Sequence, residues 1–328
     1  MRVDRLHREL LRWFQKNRRD FPWRRSSDPY AVFVSEVMLQ QTTVATVIPR
    51  YKEWLRRFPN LRALARANEG QVLNAWQGLG YYSRGRNLHR CAQICANRFG
   101  GRLPDDVAVL HSFPGVGRYT ANAVATFAFD QSLPVVEANT ARVLARLFNI
   151  RDSIDSSIGR KKLWEASARL VPRSGGRDFH SALMDLGSLV CVGRQPRCHI
   201  CPIRKFCAAP DPRSLPIKRK RPAVVSLAES HDLINQRGTV LLKQCRTRWR
   251  GMWMLPPAIP RRGIDPVYTQ RFSFTHHQIL LQVFRAKKRR RRANERWFPF
   301  SRLKEIPIPS PHRRAISSIM PDAVVEKL

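Results

Sequence analysis

The chain has 328 residues, enough to bury two hydrophobic cores. Lys and Arg number 60 against 24 Asp and Glu, a formal net charge of +36. This excludes an ordinary metabolic enzyme and points to a polyanionic partner, nucleic acid first. An anionic membrane surface is the alternative, but no long apolar run or strong amphipathic anchor supports it.

Residues 1–19 carry Leu6, Leu10, Leu11 and Phe14 at helical spacing, which predicts an amphipathic helix packed on a core. No apolar signal core stands at the N-terminus, and Asp4 and Glu9 argue against a transit peptide. Of seven cysteines, four lie within Cys191–Cys207, unlike a secreted disulfide framework, so a reducing cytoplasm is expected. DFPWRR (20–25) ends the first helix, because Pro22 cannot sit in a helix interior. Pro29 opens an apolar helix, PYAVFVSEVMLQQTTVATVI, with Glu36 in its middle. A buried carboxylate is costly, and burial raises its pKa. Glu36 is therefore either salt-bridged to an arginine or a general acid held protonated near neutral pH. Gln40, Gln41 and Thr42 follow as polar groups able to reach a base or a sugar.

More helix and loop is expected over 51–100. GLGYYSRGRNLH (78–89) combines glycine, paired tyrosines and arginines, which suits a loop that meets phosphates and inserts a ring into a base stack. A tyrosine pair that caps the core is the plainer alternative. Cys91 and Cys95, one turn apart, read as core. The stretch Leu110–Arg142 holds a Pro-Gly-Val-Gly turn (Pro114 to Gly117), a helical run from Tyr119, and a lone carboxylate, Glu137. The two glycines allow a tight hairpin between helices and leave N–H groups uncovered where a phosphate can sit. Helices are also predicted over Leu163–Val171 and Phe179–Val190, and no alternating strand pattern occurs in 1–207, which reads as all-α.

Cys191-x6-Cys198-x2-Cys201-x5-Cys207 places four thiolates in one basic loop, a [4Fe–4S] spacing with tetrahedral zinc as the alternative. Residues 208–224 are Pro-rich and basic and read as a linker. A second domain over 225–328 has strand composition at Gly238–Gln244 and Gln278–Arg285, and Trp249–Pro257 reads as an aromatic connector. Lys287–Arg292 is six consecutive cations, expected as a solvated loop that adds nonspecific DNA affinity.

Together these blocks resemble the helix-hairpin-helix DNA glycosylases, and within them the MutY-type adenine DNA glycosylases. PWRRSSDPYAVFVSEVMLQQTTVATVIP, GLGYYSRGRNLH, FPGVGRYTANAV, VVEANTARVLAR, ALMDLGSLVC and the four-cysteine spacing fall in family order. GTVLLKQ, RGMWMLPP and FTHHQILLQVF resemble the family's Nudix-like domain. The resemblance implies a mainly α helix-hairpin-helix glycosylase fold over 1–207, with two helical subdomains and an iron–sulfur loop. A small α+β Nudix-like domain follows the 208–224 linker.

It also implies a monofunctional enzyme that flips out adenine mispaired with 8-oxoguanine or guanine and hydrolyses its N-glycosidic bond. Glu36 would protonate the base, and Glu137 would be the second carboxylate. Gln41 and Tyr81 would enter the base stack. Gly115, Gly117 and Arg118 would grip backbone phosphate, and Phe274, Thr275 and His276 would inspect the oxidised guanine. Cys191, Cys198, Cys201 and Cys207 would hold [4Fe–4S]. The implied partner is duplex DNA with mismatched or oxidised pairs, met by a monomer in a bacterial nucleoid.

Four departures stand out. Glu137 replaces the family's Asp, and one extra methylene moves a carboxylate by about 1.5 Å. Tyr119 replaces Ser; G·T thymine glycosylases carry Tyr there and endonuclease III-like enzymes Lys, so no Schiff base is expected. His180-Ser181 replaces Asn-Glu or Asn-Gln beside the base. The second domain is short and lacks the acidic Nudix helix, so no nucleotide hydrolysis is expected. Thymine or uracil removal from mismatches, and lesion binding with weakened catalysis, are the alternative readings.

Overall fold

The computed structural model describes residues 3–220, 222–260, 263–274 and 276–321. Helices come first: α1 (Val3–Asn17), α2 (Pro29–Leu39), α3 (Val44–Arg57), α4 (Leu61–Arg66), α5 (Glu69–Ala75) and α6 (Ser83–Arg98). Then come α7 (Val107–His111), α8 (Arg118–Phe129), α9 (Ala138–Leu147), α10 (Ser157–Leu170) and α11 (Gly176–Leu189). Strands begin only at residue 225: β1 (Val225–Leu233), β2 (Asn235–Gln236), β3 (Thr239–Gln244), β4 (Trp253–Met254), β5 (Tyr268–Phe274), β6 (His277–Arg285) and β7 (Glu295–Pro299), before α12 (Ser310–Ile319). The N-terminal part is thus helical and the C-terminal region α+β. Two compact units divide these elements: Met1–Tyr51, Asn60–Arg62 and Arg90–Lys220 form the first, and Lys52–Pro59, Ala63–His89 and Arg221–Leu328 the second.

In the first unit, the predicted amphipathic face of α1 buries Leu6, Leu10 and Phe14 against Val143, Leu144 and Leu147 of α9 and Phe179, Leu183 and Leu186 of α11. Each fully buried side chain of this size contributes about 1.5–3 kcal/mol. Asp28 caps α2, its side chain accepting from the Tyr30 N–H at 3.0 Å, with Pro29 at the first helical position. Every residue from Tyr30 to Met38 is buried, and α2 packs on α8. Residues 208–217, expected as linker, are tied down. The Ala208 and Ala209 N–H groups donate to Leu147 O and Arg146 O, and Ile217 O accepts from the Ile154 N–H.

In the second unit, Trp54 meets Phe58 and Trp76 edge-on at 5.0 and 5.3 Å. One sheet has the order β1-β6-β5, with β1 parallel to β6 and β5 antiparallel to it. The other runs β2-β3-β4, with β7 antiparallel to β3. Leu233, Val240, Leu242, Leu281, Val283, Phe298 and Ile316 fill the core between them and α12. The strand-like GTVLLKQ and QILLQVFR become β3 and β6. β1 and α12 carried no clear sequence signal: β1 is polar at Glu229, His231 and Asp232, and α12 buries only Pro311, His312, Ala315 and Ile316.

Candidate active site

A cleft of about 760 Å³ opens in the first unit between the C-terminal end of α2, the hairpin before α8, the start of α9 and α11. Glu36, Gln41, Gly115, Gly117, Tyr119, Glu137 and Ser181 all line it. Glu36 sits there because α2 is apolar on every face and the end of the helix reaches the cleft; the residue is only 6% exposed. Tyr119 Oη donates to Glu36 Oε2 at 2.8 Å. Burial pushes the Glu36 carboxyl up to about 7; the Tyr119 hydrogen bond opposes this, nearby Glu137 reinforces it, and Arg24 opposes it. Burial and the two carboxylates hold the Tyr119 hydroxyl well above its ordinary value, so it remains a donor. The hydrogen bond that Glu36 accepts thus comes from a neutral hydroxyl, with the Arg24 charge nearby.

Glu137 is the N-cap of α9. Its Oε1 accepts from the Thr140 N–H at 2.7 Å and the Thr140 hydroxyl at 3.2 Å, and its Oε2 accepts from Asn139 Nδ2 at 3.3 Å. The longer arm is folded back over the helix start, at the positive end of the helix dipole. From there a hydrogen-bond chain runs on: Arg142 donates to Asn139 Oδ1 at 2.9 Å, to Gly187 O at 2.6 Å and to Cys191 O at 2.7 Å. Gly187 permits this approach of α11 to α9, since an added Cβ would lie 2.8 Å from Asn139 Cβ.

The hairpin joins α7 to α8 through 112–117. Gly115 has φ +74°, a conformation that side chains rarely adopt, whereas Gly117 has φ −88° and caps α8 without a side chain. Its use is bareness, as nothing lies within 4 Å of an added Cβ. Arg118 is exposed and stacks its guanidinium 4.0 Å from the Trp164 ring centroid. A second recess of about 550 Å³ is lined by Arg194, Arg197, His199 and Arg213, a further cationic surface of this unit.

The cysteines Cys191, Cys198, Cys201 and Cys207 are free and partly exposed. Among the described residues, no three His, Cys, Asp or Glu side chains stand in metal-binding geometry. The donor set nevertheless fits a thiolate-bound group. Cys201 feels the charges of the other three, and Cys191, Cys201 and Cys207 pack on one core. Arg146, 1% exposed, donates to Cys191 Sγ at 3.2 Å and to the Val192 and Gly193 carbonyls at 2.7 and 2.6 Å.

The remaining sequence-selected residues belong to the second unit. Tyr81 is 39% exposed at φ +43°, with Arg84 stacked 5.6 Å from its ring and hydrogen-bonded to Leu79 O at 2.8 Å. Phe274 ends β5, 6.5 Å from the Trp249 ring and 5.0 Å from the Arg248 guanidinium. His276 rests against His277 at 4.0 Å, and Thr275 lies outside the described residues.

Back in the first unit, His180 is fully buried and stands apart from the cleft lining. Its Nε2 lies 2.7 Å from Leu133 O, and burial lowers its pKa to about 4. Sequence reading missed Asp185, a fully buried carboxylate that Arg19 and Arg24 grip at 2.7 Å each. Burial alone would raise its pKa, but the hydrogen bonds from Arg24 and Arg19 outweigh this and lower it. The residues stand in RDFPWRR and ALMDLG, but nothing in one dimension paired them.

Residues 34–169 match the family model described as HhH-GPD superfamily base excision DNA repair protein. The chain is 43% identical over 216 residues to the adenine DNA glycosylase of Rattus norvegicus, covering 63% of this chain and 42% of the relative. It is 42% identical over 200 residues to that of Mycobacterium tuberculosis strain H37Rv, covering 61% of this chain and 66% of the relative. The matches therefore span about two fifths to two thirds of these curated relatives. Among solved structures, a thermostable thymine-DNA glycosylase superposes with a TM-score of 0.58 at 31% identity, covering 63% of this chain and 95% of that one. An endonuclease III–DNA complex superposes at 0.53 and 22% identity, covering 62% of this chain and 92% of that one, a likeness of fold. The chain belongs to the HhH-GPD superfamily of base excision DNA repair proteins.

Proposed function

We propose that this protein is a monofunctional adenine DNA glycosylase, a hydrolase that removes adenine mispaired with 8-oxoguanine or guanine from duplex DNA. The observation that carries the reading is the buried Glu36 carboxyl in the cleft, poised near pH 7 and oriented by Tyr119. The names of the relatives, adenine DNA glycosylases of mammals and bacteria, supply the base. Because Tyr119 occupies Oε2, the transferable proton of Glu36 sits on Oε1, which hands it to the leaving base. Glu137 supplies the negative charge opposite the sugar as positive charge develops there, in the manner of paired carboxylates in glycoside hydrolysis. Tyr119 cannot form a Schiff base, so the reaction ends at base release without strand cleavage.

Around this centre, Ser181 meets the flipped nucleotide and Gln41 enters the base stack, while Gly115, Gly117 and Arg118 meet backbone phosphate. In the second unit, Tyr81 enters the base stack and Phe274, Thr275 and His276 read the opposite base, as a Nudix-like domain would. Cys191, Cys198, Cys201 and Cys207 would hold a [4Fe–4S] cluster that ties the loop together, with Arg146 facing it. Thymine removal is the second reading, favoured by Tyr119 and by the similarity to a thymine-DNA glycosylase.

Single-turnover assays on duplexes with A opposite 8-oxoguanine, T opposite G and U opposite G decide between these. Adenine release that Glu36→Gln abolishes, with binding retained, is the expected result. Release of only T or U establishes the second reading. Tight binding with no release from any duplex leaves a lesion-binding protein.

A further inference from the structure

The connection between β6 and β7 reads AKKRRRRAN over residues 286–294 and belongs entirely to the second unit. A run of six cations repels itself and contributes nothing to a core, so a floppy, solvated loop is the default outcome. The structure shows a built one. Arg289 turns inward and holds Glu295 with both guanidinium nitrogens, at 2.7 and 2.8 Å. The Glu295 side chain is only 2% exposed, and its Oε2 also accepts from the Arg292 N–H at 2.7 Å. The Glu295 N–H in turn donates to Arg292 O at 3.1 Å, closing the turn. At its end, Asn294 O accepts from the Gln244 N–H at 2.8 Å, and Asn294 Oδ1 accepts from Arg246 at 2.8 Å.

One buried carboxylate is thus committed to one arginine and one backbone N–H. Lys287, Lys288, Arg290, Arg291 and the Arg292 side chain are left exposed, and none makes a salt bridge to a described residue. The loop offers only Ala286 and Ala293 as apolar residues, too little for the apolar centre of a protein interface. Arginine dominates, and its planar fork matches phosphate. We infer that the β6–β7 loop is a preformed contact for the phosphate backbone of duplex DNA, braced from inside by the Arg289–Glu295 clamp. The choice of duplex DNA rests on the proposed glycosylase reading; the polyanion itself rests on the loop.

The test uses the full chain and an undamaged duplex, so it reads binding and not base release. Replacing together the four exposed cations outside the Glu295 turn (K287Q, K288Q, R290Q and R291Q) should lower the slope of log affinity against log salt by about 3 to 4, at roughly 0.9 for each phosphate no longer neutralised. Base release from saturating mismatched duplex should proceed at the wild-type single-turnover rate. A second variant, Glu295→Gln, raises the net charge by one and releases the clamp. Weaker duplex binding by a variant whose melting transition stays cooperative is expected, because preformed geometry is lost.

An unchanged salt slope in the fourfold variant overturns the inference, as does tighter binding by Glu295→Gln, the result that charge alone gives. Loss of binding to phosphatidylglycerol vesicles with the duplex slope unchanged would assign the loop to a membrane and overturn it too. Absence of base release in the wild type, with the slope still lowered in the variant, counts against the glycosylase reading alone.

Discussion

In the proposed mechanism, Glu36 trades stability for chemistry. Its carboxyl is shifted by burial from the ordinary 4.5 to about 7. The ionised form is disfavoured in the folded state, so stability is fullest below pH 4.5 and is lost as pH rises through about 7. The loss amounts to roughly 3 kcal/mol at 1.36 kcal/mol per pH unit. Two outcomes are expected. The single-turnover rate should fall as pH rises past about 7, because the acid loses its proton. Glu36→Gln should abolish base release yet melt higher than wild type at about pH 8, since the ionisation penalty is gone. A variant no more stable than wild type at that pH would show that Glu36 is not the buried acid. The sequence disclosed Glu36 through its apolar surroundings but could not choose between ion pair and acid. Burial in the closed fold raises its pKa, and the Tyr119 hydroxyl, 83 positions away, donates to the carboxyl at 2.8 Å; neither is written in the local sequence.

Among elements, α9 does the joining. Glu137 caps its start, Asn139 and Arg142 link that cap to the α11 end, and Arg146 reaches the cysteine loop. Asn139, Arg142 and Arg146 fall at helical intervals, but the distant partners of Arg142 and Arg146 come from 187–193 and 215, so the roles of these two arginines were invisible in the local sequence. Arg146 is the sharpest case, a guanidinium 1% exposed whose donors are shared among four carbonyls and one sulfur. Removing it leaves buried acceptors without partners and opens the loop. Purified wild-type protein should be brown and contain about four iron atoms per chain. Arg146→Leu should lose most of that iron and its visible absorbance. A colourless, zinc-loaded wild type would refute the cluster, and full iron content in the variant would remove Arg146 from its support.

For the molecule as a whole, the charge of +36 is a standing cost. Few carboxylates exist to offset it, and two of the buried ones are committed: Asp185 to Arg19 and Arg24, Glu295 to Arg289. Salt screens repulsion between exposed cations over about 10 Å at 0.1 M while leaving buried pairs nearly untouched. The melting temperature should therefore rise as NaCl increases from about 0.05 to about 0.5 M. A fall would mean that exposed ion pairs, and not the excess of cations, dominate the electrostatic balance. Added duplex DNA should raise it at low salt and lose that effect at high salt.

Composition and pattern alone determined the helical N-terminal part, the strands β3 and β6, the polyanion-seeking charge and the candidate acid, because each is written in neighbouring residues. Apolar spacing, a proline at a helix start or a run of cations needs no distant partner to be recognised. Tertiary structure alone decided the rest. It drew Glu36, Tyr119, Glu137 and Ser181 to one cleft, folded the longer arm of Glu137 into a helix cap, and put β1 beside β6. It also turned one arginine of a six-cation run inward onto a buried carboxylate. Those outcomes depend on contacts between residues far apart in the chain, and burial and hydrogen bonding there are fixed only once the chain has closed on itself.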